Sequence, residues 1–171
     1  MKTVLVVYAS RMGSTAEIAS GVGDQLTRRG FDVEVQSATD ARDARLYDSV
    51  IVGSPVYLGR WDREALRYLH AQAPDLAERP TWLFQSGPCG ENADEQVMPP
   101  KKVSMYAHRI NTPRPVTFGG RLDPATATGF IARKMAAGPL AGDFRDFTRI
   151  RAFAAGIADQ LTAPKPIVAE R

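Results

Sequence analysis

The chain has 171 residues, 44% of them hydrophobic, enough for one full core without covalent staples. Its 22 Lys and Arg against 19 Asp and Glu give a net charge of +3 and a pI near 9.2, and no aromatic-interleaved basic motif marks a nucleic-acid surface. A single cysteine, Cys89, excludes an internal disulfide framework and supplies no pair for a zinc or iron–sulfur site. That cysteine usage fits a reducing compartment, and the chain reads as cytoplasmic. No apolar run approaches the roughly 20 residues that span a bilayer, so any membrane contact would be peripheral.

The first strand is expected at Thr3–Tyr8. The apolar stretch Val4–Ala9 is too short for a signal sequence and runs into Ser10-Arg11-Met12-Gly13-Ser14-Thr15 rather than a cleavage site. Ile18, Val22 and Leu26 then recur with helical period. Phe31–Val35 alternates, as suits an edge strand, whereas Ser49–Gly53, like the first, is continuously apolar, as suits a strand covered on both faces. Between them, Thr39–Asp48 has only Leu46 and Tyr47 as large apolar residues, which predicts a short helix or a turn.

Ala65, Leu66 and Leu69 mark a further helix, and Thr81–Gln85 a fourth strand. Val103, Ala107 and Ile110 mark the next helix, Pro115–Gly119 a fifth strand, and Ile150, Ala154, Ile157 and Leu161 the last helix, with Asp146 as its cap. Such alternation implies right-handed βαβ units and a parallel sheet with helices on both faces, an α/β three-layer sandwich. One domain over residues 1–162 is expected, followed by a tail over 163–171 that Pro164 and Pro166 keep from continuing the helix.

The loop from Ser10 to Thr15 lies between a strand and a helix. At such a junction the first helical N–H groups lack intrahelical partners and the helix dipole is positive, so a phosphate finds convergent donors without a lysine. Gly13 lets the backbone wrap closely, and Ser10, Ser14 and Thr15 offer hydroxyls. The loop matches neither G-x-G-x-x-G nor the lysine-bearing P-loop.

In position and sequence it resembles the phosphate loop of flavodoxins, Thr/Ser-x-Thr-Gly-x-Thr, with Ser10, Gly13 and Thr15 on matching positions; Met12 departs from it and removes one hydroxyl. The resemblance implies a five-stranded parallel sheet of order 2-1-3-4-5 and FMN held at its carboxyl edge by the loops after strands one, three and four. After strand three, Ser54-Pro55-Val56-Tyr57-Leu58-Gly59-Arg60-Trp61 offers Tyr57 or Trp61 for stacking and backbone near Gly59 for the polar edge of a flat ring. After strand four, Ser86-Gly87-Pro88-Cys89-Gly90 could line the other side. Cys89, His70 and His108 have no sequence neighbour that would activate them and read as bystanders.

Beyond these loops the chain resembles the menaquinone-dependent protoporphyrinogen oxidase family. The matches are Ala9-Ser10-Arg11-Met12-Gly13-Ser14-Thr15, Gly142-Asp143-Phe144-Arg145-Asp146-Phe147, and Phe118-Gly119-Gly120-Arg121-Leu122 at strand five and its exit. That resemblance implies FMN and electron transfer from a reduced substrate to a quinone. The family's basic-aromatic insertion, associated with substrate and membrane docking, is reduced here to Pro124–Gly138, with Gly129–Met135 as an amphipathic remnant. Arg11 and Arg60 could face an anionic substrate. A flavodoxin-like electron carrier, an NAD(P)H:quinone reductase relative, a flavin-free binding module and a deazaflavin coenzyme remain alternatives, and the sequence carries no signal of oligomeric state.

Overall fold

A computed structural model describes residues 1–93 and 95–164; Lys165 and Pro166 of the expected tail, and the residues after them, lie outside that range. β1 (Thr3–Tyr8) leads through α1 (Ser14–Arg28) to β2 (Asp32–Ser37) and a 3-10 turn at Ala44–Leu46. β3 (Ser49–Tyr57) folds back through the short β4 (Arg60–Trp61) into α2 (Arg63–Ala77) and β5 (Thr81–Ser86). Next come α3 (Lys101–Arg109), β6 (Val116–Phe118), β7 (Arg121–Leu122), α4 (Phe130–Ala136), β8 (Gly142–Asp143) and α5 (Phe147–Thr162).

Five strands pair in parallel in the order β2-β1-β3-β5-β6. This is the expected order 2-1-3-4-5, relabelled because β4 adds a sixth strand antiparallel to β3. β7 and β8 form a separate antiparallel pair. All three additions are two residues long, too short to carry a readable period. The weak segment before β3 is indeed only a turn, closed by Asp43, whose carboxylate accepts the Arg45 N–H at 2.9 Å.

Alternate residues of the central strands reach opposite helical layers, which is why their sequences are apolar throughout. Leu5, Val7, Val50, Val52 and Leu83 pack with Leu69 and Leu76 of α2 and Val103 of α3. Val4, Val6, Ile51 and Phe84 pack with Ile18, Val22 and Leu26 of α1 and Ile150 and Ile157 of α5. α5 starts where expected: the Asp146 carboxylate accepts N–H groups from Thr148 at 2.8 Å and Arg149 at 3.1 Å. Among the described residues no helix is long and apolar enough to cross a membrane.

Gly53 sits beside Phe84 across the β3–β5 register. The Phe84 ring occupies the space a side chain would take: an ideal Cβ at Gly53 would fall 1.9 Å from it. That ring also meets Phe118 and Phe153 at centroid distances of 6.1 and 6.5 Å. Gly53→Ala is therefore expected to destabilise the fold by about 3 kcal/mol, at the upper end of overpacking costs, and Gly53→Ala with Phe84→Leu by less; urea unfolding of the two variants checks this.

Candidate functional site

The carboxyl ends of β1, β3, β5 and β6 meet at one edge of the sheet. There β1 passes into α1 through the loop expected to hold a phosphate. Gly13 caps the helix with φ 85°, a left-handed conformation that suits glycine. Its N–H donates to Ser10 Oγ at 3.1 Å and its carbonyl accepts the Glu17 N–H at 3.1 Å. The N–H groups of Ser14, Thr15 and Ala16 consequently stand at the open end of the helix.

The loop's hydroxyls have a second task. Ser14 Oγ accepts the Arg121 N–H at 3.1 Å, and Thr15 Oγ1 lies 2.8 Å from Ser86 Oγ. They stitch the loop to the exits of β6 and β5. Because Ser10 and Ser14 accept in these bonds, each keeps its own proton to donate to an anion. Met12 serves neither purpose: it packs against a small cluster of Leu122, Ala127, Ala132 and Ala136, with Cys89 and Leu140 beside it. Its departure from the hydroxyl pattern follows from that packing, which fastens α4 over the loop.

The segment after strand three is not a loop throughout. Ser54–Tyr57 continue β3, and Leu58 and Gly59, with φ of 49° and 71°, form the turn into β4. Leu58 holds this conformation although it is not a glycine, at the rim of the site and 67% exposed. The register corrects one expectation. Trp61 pairs with Val56 and is buried in the core, its indole N–H donating to Gln85 Oε1 at 3.0 Å, and it does not line the cleft that Tyr57 borders. Tyr57 lies at the site with the Arg11 guanidinium 5.5 Å from its ring centroid, and Arg11 is held by Asp62 at 2.9 Å.

These groups enclose a cleft of about 170 Å³. Ser10, Arg11, Met12, Ser14 and Thr15 line one side; Pro55, Val56, Tyr57 and Leu58 line a second; Ser86, Gly87 and Cys89 line a third. Of the other candidates, Gly13 shapes the loop from its cap position, Gly59 sits in the hairpin turn, and Gly90 borders a different surface depression beyond Asp143 and Phe144. Pro88 is placed by its carbonyl, which accepts the Gly120 N–H at 2.8 Å. Arg60 lies outside the cleft, on the β4 side. Burial raises the pKa of the Cys89 thiol, which makes it a poorer nucleophile at neutral pH.

Sequence reasoning missed the fourth wall: Gly120, Arg121 and Leu122 from the exit of β6, and Ala132, Met135 and Leu140 from the α4 segment. The run Phe118–Leu122 was legible as a strand exit, but nothing in it announces that it folds back over the first loop. What holds it there is charge. Arg145, only 4% exposed, pairs with Asp143 at 2.6 Å and with Glu17 in the first turn of α1; Arg121 reaches Glu17 at 2.9 Å. The Arg145 guanidinium also sits 5.1 Å from the Phe147 ring centroid.

A doubly wound parallel sheet with its cleft at the carboxyl edge, beside a glycine-capped helix N-terminus, defines an α/β protein of the open, doubly wound class. The chain belongs to the flavodoxin domain family, whose model matches residues 5–136. Among solved structures it is similar to a flavodoxin from the domain Archaea (12% identity, TM-score 0.66, covering 94% of this chain and 99% of that one). It is also similar to oxidised flavodoxin 1 from Bacillus cereus (14%, 0.60, 95% and 99%). A third is rubredoxin oxygen:oxidoreductase from the anaerobe Desulfovibrio gigas (15%, 0.63, 95% of this chain and 38% of that one). At these identities the likeness is one of fold. No curated protein matches the chain significantly in sequence.

The hydrogen bond from Arg145 holds the Glu17 carboxyl below its ordinary value of 4.5, and the same guanidinium holds Asp143 below 3.8, in both cases against partial burial. Carboxyls depressed in the folded state stabilise it above their unfolded pKa and lose that contribution as pH falls through the folded one. Both are nearly half exposed, so the effect is modest. The difference in unfolding midpoint between the wild type and Arg145→Met should be largest near neutrality and shrink between about pH 5 and about pH 3; thermal melts across that range test it.

Proposed function

We propose that the cleft binds FMN and that the chain is an FMN-dependent redox protein. The observation that carries this reading is the glycine-capped N-terminus of α1 opening onto the same cleft as Tyr57. The residues fit such a group. Gly13 presents no Cβ, the Ser10 and Ser14 protons are available to an anion, and Arg121 Nε is buried with no hydrogen-bond partner among the described residues. The remaining walls are largely apolar, as a flat aromatic ring requires.

Residues Ser10 to Thr15 would hold the phosphate, and Tyr57, Leu58, Gly87 and Cys89 would border the ring. Bound there, FMN supplies reversible one- and two-electron transfer. The chain's part is to bind it, shield one side from water and leave an edge open: about 170 Å³ is less than the roughly 300–1,000 Å³ of sites that engulf a ligand. An exposed edge suits exchange of electrons with a partner. The Arg11 guanidinium next to Tyr57 supplies a positive charge on that side.

Within the family, the α4 segment favours a protoporphyrinogen oxidase-type role, passing electrons from a reduced substrate to a quinone. α4 buries small residues, Ala132 and Ala136, and turns large ones outward: Phe130 is 83% exposed, with Ile131 and Met135 also exposed beside Arg133 and Lys134. An apolar and basic surface next to the cleft fits a flat hydrophobic anion or a quinone in an anionic membrane surface, through peripheral contact. A soluble electron carrier is the second reading, supported by the flavodoxin family itself. A flavin-free binding module is the third, supported by Met12 turned into the α4 cluster.

The purified chain should be yellow or quench added FMN fluorescence on titration, and Gly13→Val, which forces a β-branched side chain into φ 85°, should abolish that quenching while leaving far-UV circular dichroism unchanged. A colourless protein that ignores FMN overturns the flavin reading. Co-sedimentation with phosphatidylglycerol vesicles should fall several-fold in Phe130→Ser with Lys134→Glu; equal sedimentation removes the membrane role and favours the soluble carrier.

A further inference from the structure

We propose that Arg121 reads the phosphate of the bound mononucleotide, and so selects FMN over riboflavin; this rests on the flavin reading above. Sequence logic assigns the phosphate to the α1 loop alone, whereas the fold brings a cation from a residue more than a hundred positions later onto the same loop. The Arg121 N–H donates to Ser14 Oγ at 3.1 Å, which fixes the backbone of β7 against the first turn of α1. An ideal Cβ at Gly13 would lie 3.6 Å from Arg121 Nη2, so the guanidinium rests against the one loop residue that lacks a side chain. Arg121 also lines the cleft.

The guanidinium is incompletely satisfied. Its Nη atoms meet Glu17, at 2.9 Å to Oε1 and 3.4 Å to Oε2, but Nε is buried and bonds to nothing among the described residues. A desolvated donor without an acceptor is costly, and a phosphate oxygen would supply one. A planar guanidinium offers parallel donors that suit such an anion better than an ammonium does.

Glu17 is the competitor, a carboxylate in the helix's first turn where an anion is to bind. The ion pairs make an exchange feasible. Arg145, itself anchored by Asp143, remains on Glu17 when Arg121 turns to phosphate, so the carboxylate is not left without a partner. Arg145 is thus a positioning residue.

Quenching titrations with FMN and with riboflavin, run on the full chain, test the assignment. Arg121→Gln should weaken FMN about ten- to hundredfold, the scale of a lost charge-assisted hydrogen bond, and leave riboflavin unchanged. Arg121→Lys should recover part of the loss, and Glu17→Gln should bind FMN as tightly as the wild type or more so. FMN affinity in Arg121→Gln within twofold of the wild type overturns the proposal, as does an equal loss for both flavins or a Glu17→Gln defect matching that of Arg121→Gln. A wild type that binds neither flavin refutes the flavin reading, and this proposal with it.

Discussion

Because β1 pairs in parallel with β3, and β3 with β5, the three strands end at the same edge and their exits cannot avoid one another. Three of the cleft's walls descend from that constraint. Main-chain hydrogen bonds carry the alignment past the strands: the Ala9 N–H donates to Gly53 O at 3.0 Å, the Gly87 N–H to Phe118 O at 3.3 Å, and the Gly120 N–H to Pro88 O at 2.8 Å. The parallel arrangement in turn requires apolar cover on both faces, which the alternation of Val4 and Val6 with Leu5 and Val7 provides.

The sheet and the position of its loops were legible because they depend on local pattern. Continuous apolar runs in β1 and β3, alternation in β2 and the helical spacing of α1 and α5 each state their environment within a few residues. Gly13 could be read as the residue that lets the loop wrap closely and Asp146 as a cap, since both are relations between near neighbours. Trp61 could not be placed this way. Whether an aromatic residue near a strand end faces ligand or core is decided by a two-residue turn at Leu58 and Gly59, and one step of register reverses the answer.

The fourth wall was illegible for a different reason. β7, β8 and α4 are short, and their placement rests on contacts distant in sequence rather than on any period: Glu17 pairs with Arg121 and Arg145 beside β7 and β8, and Met12 packs with Ala132 and Ala136 of α4. The same is true of Met12. Read as a loop residue it lacks a donor; read with Ala132, Ala136 and Leu122 it is the point where a separate small core grips the loop. The outward face of α4 is the converse: a helix that buries alanines over a methionine approaches closely and has its larger apolar residues left for solvent.

The two sides of the cleft differ in what they are made of. Its floor is backbone: a Cβ on Gly87 would come within 2.7 Å of the Val56 carbonyl oxygen, and one on Gly120 within 3.2 Å of Gly87 Cα. Main chain in such contact leaves no side chain to shorten. Its α4 side carries Met12, Met135 and Leu140, flexible side chains of which Met12 and Leu140 pack on a small cluster outside the main core. Point substitutions on the α4 side can therefore enlarge or reshape the cleft without disturbing that floor. Changes in ligand size among related chains should be written at those three positions, while the floor stays the same.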